Sequence, residues 1–473
     1  MYTKKSLLRL AVCLAFVMTL LISTAAPSLA TYGPPNNALV GTETQPANAA
    51  ITKCLKVGQE TIVPSISFTF VITKVSINGA NDTATVNSMP TIGTAITNPA
   101  NSGTVSVAYT SADVYNQLNN MTKRENQTDF LYKESSALFP ASMTWPRAGI
   151  YIYTITEQQS TNYTVNTATE TLTLSKAKYE LHVYVAEKTS SPGQYYVWAI
   201  GAYKILNDEG TDTGGGTGNK VNPMPGGPGG STGYLTPYSQ MIFENKFLRH
   251  GSEQPPTNPN NDVKFKLSKA VTGMVSDTGL YFSFNVTIYR PGGVSSKTHY
   301  KAYVYEGTST TPVNNLTPNT DTSSLIVSNY LNIPVNTAVT IKLKHGQYLG
   351  FTNIDAGAEY VINELAAANY QASYTLTKSG VATGPVSAFD FNQSLTTPTT
   401  IINIYPTTQQ NPTPAWVDSA AFSNLRETIT PTGITVNDMP YYALVVIGIA
   451  GLAGYLFFRI KVRKNDETAV EAS

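Results

Sequence analysis

The sequence predicts an all-β protein built from two β-sandwich domains in tandem. Three observations predict this fold class. Apolar and polar residues alternate over short runs such as 65–72 and 281–288, which is typical of half-buried strands. Segments with helical periodicity are scarce. A polar, proline-rich stretch at 249–262 separates two segments that repeat the same order of strands. Many short strands joined by turns favour β-sandwiches.

Residues 1–30 have the composition of a secretory signal. Lys4, Lys5 and Arg9 precede an apolar run at 10–22, and the small residues Ser28 and Ala30 follow at a cleavage-like site. An N-terminal membrane anchor is the alternative, but the apolar run is short for a span. We therefore expect an exported protein.

A second apolar stretch, 441–458, contains no charged residue and is followed by a basic segment. A stretch of this length can cross a bilayer, with the basic flank at 459–473 on the cytoplasmic side. Just before it stands Ile429-Thr430-Pro431-Thr432-Gly433.

Pro-Thr-Gly, an apolar span and a basic tail together resemble the sorting signals that sortases cut between threonine and glycine, here Thr432 and Gly433. No residue separates Pro431 from Thr432, so the motif departs from Leu-Pro-x-Thr-Gly and looks like a shorter variant found in some pilins. The resemblance implies attachment to peptidoglycan at the cell surface after transient membrane anchoring. An ordinary single-span membrane protein is the alternative.

Composition excludes several classes of partner. Charged residues make up 13% of the chain and the net charge is +1, so neither a nucleic acid nor an anionic membrane is implied as a partner. Cys13 leaves with the signal, and Cys54 alone cannot form an intrachain disulfide. The histidines are scattered, so we expect no metal site and no cofactor. An exported β-rich chain without disulfides must be stabilised in another way.

The organisation follows from these features. We predict a signal peptide (1–30), a first sandwich (31–248), a linker (249–262), a second sandwich (263–406), a wall-proximal spacer (407–428), a sorting motif (429–433), a transmembrane segment (441–458) and a cytoplasmic tail (459–473).

Six polar residues lie at core-facing positions of predicted strands. Side chains alternate between the two faces of a strand, so a polar residue that shares parity with apolar neighbours points inward. Lys53, for example, shares its face with Ile51 and Leu55. The six are Lys53, Glu157 and Asn245 in the first domain, and Lys269, Glu364 and Asn403 in the second.

Burial dictates the chemistry of these residues. Burial without a partner lowers the pKa of a lysine and raises that of a glutamate. A neutral amine is a nucleophile, and a protonated carboxyl can polarise an amide carbonyl. A lysine, a glutamate and an asparagine together can therefore form a Lys–Asn isopeptide bond and release ammonia. The alternative is a buried salt bridge or a lysine that extends to solvent.

With these residues in this order, the sequence resembles the streptococcal backbone pilins, which implies two tandem Ig-like domains of the collagen-adhesin B type. The resemblance covers nearly the whole chain and rests on several segments taken jointly. They are Thr52-Lys53-Cys54-Leu55, the strand at 149–157, Phe243-Glu244-Asn245, Lys269-Ala270-Val271-Thr272-Gly273, the segments at 343–347 and 357–364, and Asn403. It implies isopeptide bonds Lys53–Asn245 and Lys269–Asn403, with Glu157 and Glu364 as the catalytic residues of this autocatalytic reaction.

The resemblance also implies polymerisation, in which a sortase joins Thr432 to a lysine of the next subunit. In relatives that lysine lies just before the first domain's asparagine, but the corresponding position near Tyr238 has no lysine. Lys220 and Lys204 are the nearest upstream candidates. We expect a shaft subunit of a pilus, with itself, sortase, peptidoglycan and minor pilins as partners. A wall-anchored adhesin that is not polymerised is the alternative, and an enzyme acting on other molecules is disfavoured because no further catalytic residues stand out.

Overall fold

The structure is a computed structural model that describes residues 39–118, 122–214, 219–226, 237–404, 417–426 and 439–470. These residues form an all-β protein with one long C-terminal helix, which confirms the predicted fold class. The predicted signal peptide and sorting motif, with Thr432 and Gly433, lie outside the described residues.

The first domain consists of two sheets. Its strands are β1 (Leu39–Val40), β2 (Thr52–Gly58), β3 (Ile66–Ile77), β4 (Thr94–Ile96), β5 (Ser102–Tyr109), β6 (Thr122–Glu125), β7 (Thr128–Glu134), β8 (Gly149–Glu157), β9 (Glu170–Thr173), β10 (Lys178–Glu187), β11 (Tyr195–Leu206), β12 (Lys220–Val221) and β13 (Ile242–Arg249). One sheet has the order β1-β11-β10-β8-β3-β5-β4, with β12 paired to β11, and the other has the order β6-β7-β2-β13-β9. A short helix α1 (Thr83–Ser88) follows β3, and Asp82 caps its N-terminus.

The second domain repeats this plan. Its strands are β14 (Phe265–Thr272), β15 (Phe282–Tyr289), β16 (His299–Glu306), β17 (Ile326–Val327), β18 (Tyr330–Pro334), β19 (Val339–Leu343), β20 (Gln347–Phe351), β21 (Glu359–Glu364), β22 (Gln371–Lys378), β23 (Val381–Ser387), β24 (Leu395–Thr396), β25 (Thr400–Ile401) and β26 (Asp418–Leu425). One sheet has the order β17-β18-β16-β20-β14-β26-β22-β23, and the other has the order β19-β15-β21-β24, with β25 paired to β21. Two 3₁₀ turns, Thr317–Asn319 and Ser323–Leu325, precede β17.

Alternation of side chains explains why each pair of sheets encloses a core. Along β8 and β15, buried residues alternate with partly exposed ones without a break, as the period-two pattern predicts. The first core includes Phe68, Tyr153 and Phe243, and the second includes Phe284, Tyr360 and Phe422. The two clusters are separate, so each domain has its own core.

The second domain extends beyond the predicted boundary at residue 406. β26 lies within the segment 407–428 that the sequence assigned to a wall-proximal spacer, yet it pairs in parallel with β14 from Phe265↔Asp418 to Thr272↔Leu425. The spacer prediction is therefore wrong for Asp418–Leu425. The short side chains of β26, among them Ala420 and Ala421, give only a weak apolar alternation, and the preceding segment 407–417 is rich in proline and polar residues. The sequence pattern therefore did not indicate a strand here.

Backbone contacts join the two domains at the linker. The amide of Gly251 donates to the carbonyl of Ile354 at 2.8 Å, and the amide of Ala356 donates to the carbonyl of Arg249 at 2.9 Å. A Cβ atom on Gly251 would lie 1.7 Å from the carbonyl oxygen of Thr352, so only glycine permits this approach. The linker continues through helix α2 (Pro259–Asp262) to β14.

The C-terminal helix α3 (Met439–Val470) contains the predicted span. Its segment Tyr441–Lys461 is long and apolar enough to cross a membrane, and none of it is buried against the rest of the chain. The helix continues to Val470, so most of the predicted tail at 459–473 is helical.

Candidate crosslinking sites

The first site lies between the two sheets of the first domain. Lys53 on β2 donates from Nζ to Oε2 of Glu157 at 2.7 Å, and Asn245 on β13 donates from Nδ2 to Oε1 of the same carboxyl at 2.6 Å. Lys53 and Asn245 are completely inaccessible to solvent, and Glu157 is 5% exposed. The amine and the carboxamide are thus held on the two oxygens of one carboxyl group.

Aromatic rings complete the surroundings of the amine. Its Nζ lies 4.7 Å from the ring centre of Phe68 and 6.0 Å from that of Phe70. These rings come from β3, which pairs with β8 so that Phe70 faces Glu157 in register. They exclude water and leave Glu157 as the only side-chain hydrogen-bond partner of the amine among the described residues.

Burial moves both ionisable groups toward their neutral forms. It lowers the pKa of Lys53 to about 8, although the charge of Glu157 opposes the shift. It also raises the pKa of Glu157, against the opposing charge and hydrogen bond of Lys53. Desolvation therefore favours transfer of the shared proton from amine to carboxyl, which would leave a nucleophilic amine beside a protonated acid.

The second site has the same composition, but a different asparagine. Lys269 on β14 donates to Oε1 of Glu364 at 2.6 Å, and Asn424 on β26 donates from Nδ2 to the same oxygen at 2.7 Å. Each of the three is at most 2% exposed. Burial lowers the pKa of Lys269 to about 8 and raises that of Glu364.

Asn403, the asparagine predicted from sequence, is not the one that the structure brings to Glu364. It follows β25 at a half-buried position, and its backbone amide donates to Oδ2 of Asp418 at 2.8 Å. The prediction is wrong at this residue because the last strand of the domain is β26, not the segment at 401–404. Lys53, Glu157, Asn245, Lys269 and Glu364 lie together within their domains as predicted.

Strand register makes the two sites equivalent. In the parallel pair β2–β13, Lys53 faces Phe243, and Asn245 lies two residues further on. In the parallel pair β14–β26, Lys269 faces Phe422, and Asn424 lies two residues further on. Both asparagines stand in a Phe-x-Asn pattern, Phe243-Glu244-Asn245 and Phe422-Ser423-Asn424, but the pattern also occurs as Phe351-Thr352-Asn353 and so does not by itself identify Asn424.

The two sites differ in how the carboxamide oxygen is held. Oδ1 of Asn245 accepts a hydrogen bond from the backbone amide of Ser175 at 2.6 Å. Within the described residues, Oδ1 of Asn424 and Oε2 of Glu364 are buried without a hydrogen-bond partner. A buried acceptor without a donor costs free energy of folding. Before any reaction, the polar atoms of the second site therefore make fewer of their possible hydrogen bonds than those of the first.

A third lysine–glutamate–asparagine cluster lies near the domain junction. Lys297 Nζ is 2.9 Å from Oε1 of Glu253, and Nδ2 of Asn353 donates to both oxygens of Glu253 at 3.1 and 3.0 Å. The side chain of Glu253 is 46% exposed. Burial raises its pKa, but hydrogen bonds and the charge of Lys297 outweigh burial, so the pKa of Glu253 is lowered. The hydrogen bonds of this cluster resemble those of the two buried sites. The lowered pKa of Glu253, however, favours a charged Lys297–Glu253 pair.

The candidate acceptor lysines lie outside the buried sites. Lys204 pairs with Asp208 at 2.9 Å. Lys220 is half-buried on β12, and burial lowers its pKa. Tyr238, near the position where the resemblance implies a lysine, is buried and donates its hydroxyl to the carbonyl of Tyr132. Nothing in these contacts selects one lysine, so the acceptor stays a prediction.

Comparison with known proteins gives limited matches. A family model described as a domain of unknown function, DUF7601, matches residues 264–404, less than half of the chain. No curated protein matches the chain. The matched segment ends before β26, and so it does not include Asn424.

Several solved pilus proteins are similar to the chain at low identity. A major pilin from Streptococcus pyogenes is 15% identical, covers 81% of this chain and 100% of its own, and has a TM-score of 0.28. A second major pilin from that organism is 15% identical, covers 80% and 98%, and has a TM-score of 0.25. A pilus-presented adhesin is 12% identical, covers 53% and 36%, and has a TM-score of 0.22.

Proposed function

We propose that this chain is a structural subunit of a sortase-assembled surface pilus, stabilised by two isopeptide bonds that it forms by itself, Lys53–Asn245 and Lys269–Asn424. The observation that carries the proposal is the pair of equivalent buried lysine–glutamate–asparagine sites. In each site the lysine lies on the first long strand of the domain's core and the asparagine on the last. Both contact a glutamate whose pKa is raised by burial, which favours its protonated form.

The proposed reaction balances within each site. The neutral lysine amine adds to Cγ of the asparagine, and the glutamate transfers protons between the attacking nitrogen and the departing Nδ2. The Cγ–Nδ2 bond breaks, ammonia leaves, and a secondary amide joins the two side chains. The product carries no charge, so it removes the cost of a buried ion pair.

The intact mass of the folded domains tests the crosslinks. For a recombinant protein spanning 31–432, we expect a mass short of the sequence value by two ammonia molecules. Glu157→Gln and Glu364→Gln should each restore one ammonia, because an amide cannot exchange protons in the glutamate's place.

Glu253→Gln is the matched control for this measurement. It changes the third cluster, whose glutamate is partly exposed and favours the ionised form, so both mass losses should remain. A wild-type mass equal to the sequence value would refute the crosslinks. Loss of a third ammonia would show that burial does not determine which clusters react.

The rate of crosslinking should depend on pH with a maximum. The reactive state holds one proton between lysine and glutamate. The pKa of Lys53 and of Lys269 is lowered to about 8. Above this pH the shared proton is lost, and the glutamate is present only as a carboxylate. Below the raised pKa of the glutamates, a second proton is bound and the amine is charged. Chain made in a cell-free system and transferred to buffers of different pH before it has reacted, with ammonia loss followed by mass, measures this rate. A rate that keeps rising well above pH about 8 would contradict the role of the glutamates.

Polymerisation requires a separate test, because crosslinked domains also suit a wall-anchored adhesin. With its cognate sortase, the full chain should give a ladder of covalent multimers in wall extracts. Thr432→Ala should abolish the ladder, and Lys220→Arg and Lys204→Arg test the two candidate acceptors. Arginine keeps the charge but is not an acyl acceptor for the sortase. A single wall-linked band from the wild type would favour the adhesin.

A further inference from the structure

We propose that the backbone amide of Ser175 is an oxyanion donor for the first crosslink, and that the described residues of the second site provide no equivalent donor, so that Lys53–Asn245 forms faster than Lys269–Asn424. This inference rests on the proposed crosslinking. It adds a catalytic group that is not one of the six site residues, because the N–H of Ser175 touches the carboxamide oxygen that gains charge during the reaction.

The geometry suits this role. When the lysine amine adds to Cγ of Asn245, the carbonyl double bond opens and negative charge collects on Oδ1. The Ser175 amide donates to that oxygen at 2.6 Å. It also fixes the orientation of the carboxamide, because an N–H donor requires the oxygen on its side and so leaves Nδ2 toward Glu157.

The donor is held in place before the reaction. Ser175 lies between β9 and β10 and is 1% exposed. Its hydroxyl donates to Oδ1 of Asp208 at 2.6 Å and accepts from the amide of Ala177 at 3.1 Å. Its carbonyl accepts from the side chain of Gln159 at 2.8 Å. Such fixed donors need little reorganisation as charge develops, which is the basis of oxyanion stabilisation.

The second site provides the internal comparison. The lysine and phenylalanine environments match, with Lys269 Nζ 4.4 Å from the ring centre of Phe282 and 5.7 Å from that of Phe284. The carboxyl groups are used differently, because Lys269 and Asn424 share Oε1 of Glu364, whereas Lys53 and Asn245 bind separate oxygens of Glu157. Oδ1 of Asn424, however, is buried without a hydrogen-bond donor in the described part of the chain. The difference that bears on the oxygen gaining charge is thus its donor, and the Ser175 variants change that donor without changing either carboxyl group.

The test follows both crosslinks in the same molecule. The chain is synthesised in a cell-free system, sampled with time, denatured and digested, and each crosslinked peptide pair is quantified by mass spectrometry. In the wild type we expect the first crosslink to form at least about tenfold faster than the second. Replacing the Ser175 amide by an ester, through suppression with the α-hydroxy analogue of serine, exchanges the N–H for an oxygen and keeps every side chain. It should slow the first crosslink by about 10²–10³-fold and leave the rate of the second unchanged.

Ser175→Ala is the second variant, because it keeps the N–H but removes the hydroxyl that Asp208 holds. It should slow the first crosslink less than the ester does. Equal rates for the two wild-type crosslinks, or an ester chain that forms the first crosslink at the wild-type rate, would overturn the inference while leaving the crosslinks themselves intact. Absence of both crosslinks from the wild type would instead refute the proposed function.

Discussion

A tandem of the two wild-type domains is expected to resist extension at forces that unfold ordinary β-sandwiches. In the proposed crosslinked form, tension that enters near Lys53 passes through the isopeptide bond to Asn245, follows the chain to Lys269, and passes through the second bond to Asn424. The strands between the crosslinked residues lie outside this path. Only the segment 246–268 can then lengthen between the two bonds, to at most roughly 80 Å.

The matched comparison is the double variant Lys53→Ala, Lys269→Ala. Without crosslinks, the chain from residue 53 to residue 424 can extend to roughly 1,200 Å, so single-molecule pulling should show unfolding steps that the wild type lacks. Each single variant should release one domain only. A wild-type tandem that lengthens as much as the double variant would contradict the covalent force path, whatever its mass.

The parallel pairing of first and last strands explains why this path is short. β2 lies beside β13, and β14 lies beside β26, in each case in parallel. Chain entry and chain exit therefore lie at opposite ends of adjacent strands. Without a crosslink, the backbone hydrogen bonds between these strands would bear the load. An isopeptide bond placed between them transfers the load to a covalent bond.

Sequence reasoning selected five of the six residues that the structure brings together, because each shares parity with apolar neighbours in its strand. β8 and β14 alternate without interruption, so parity correctly predicted that Glu157 and Lys269 point inward. It selected the wrong asparagine because Asn403 follows two isoleucines, whereas Asn424 lies on a strand rich in alanine and serine. Pairing with β14, which no local pattern reports, is what makes that segment a core strand.

Two features of the sites could not be predicted from sequence at all. The Ser175 amide is a backbone donor, and every residue except proline has one, so its position depends on how the connection between β9 and β10 folds. The third cluster contains the same three residue types as the two buried sites, but its glutamate is exposed and also pairs with Lys301, and its lysine also pairs with Asp355. Burial is a property of the assembled domains, so residue type alone does not separate the third cluster from the two buried sites.

Separate alanine variants of the observed and of the predicted asparagine test the second site. We expect Asn424→Ala to restore the mass of one ammonia, because it removes the carboxamide that donates to Glu364. The variant also opens a loop of nearly the whole domain, which the chain-entropy model values at about 5 kcal/mol. The buried pair Lys269–Glu364 would remain, without a carboxamide to attack, and would add to the loss of stability.

Asn403→Ala is the matched control, because it changes an asparagine of the same domain that is not hydrogen-bonded to Glu364 in the structure. It should keep both mass losses and a second domain that unfolds near the wild-type temperature, whereas the second domain of Asn424→Ala should unfold well below it in calorimetry. The unfolding of the first domain serves as the reference in both proteins, since Lys53 and Asn245 are unchanged. If Asn403→Ala restored one ammonia and Asn424→Ala did not, the last strand of the crosslinked domain would be the segment at 401–404, and the pairing of β26 with β14 could not be the arrangement in which the bond forms.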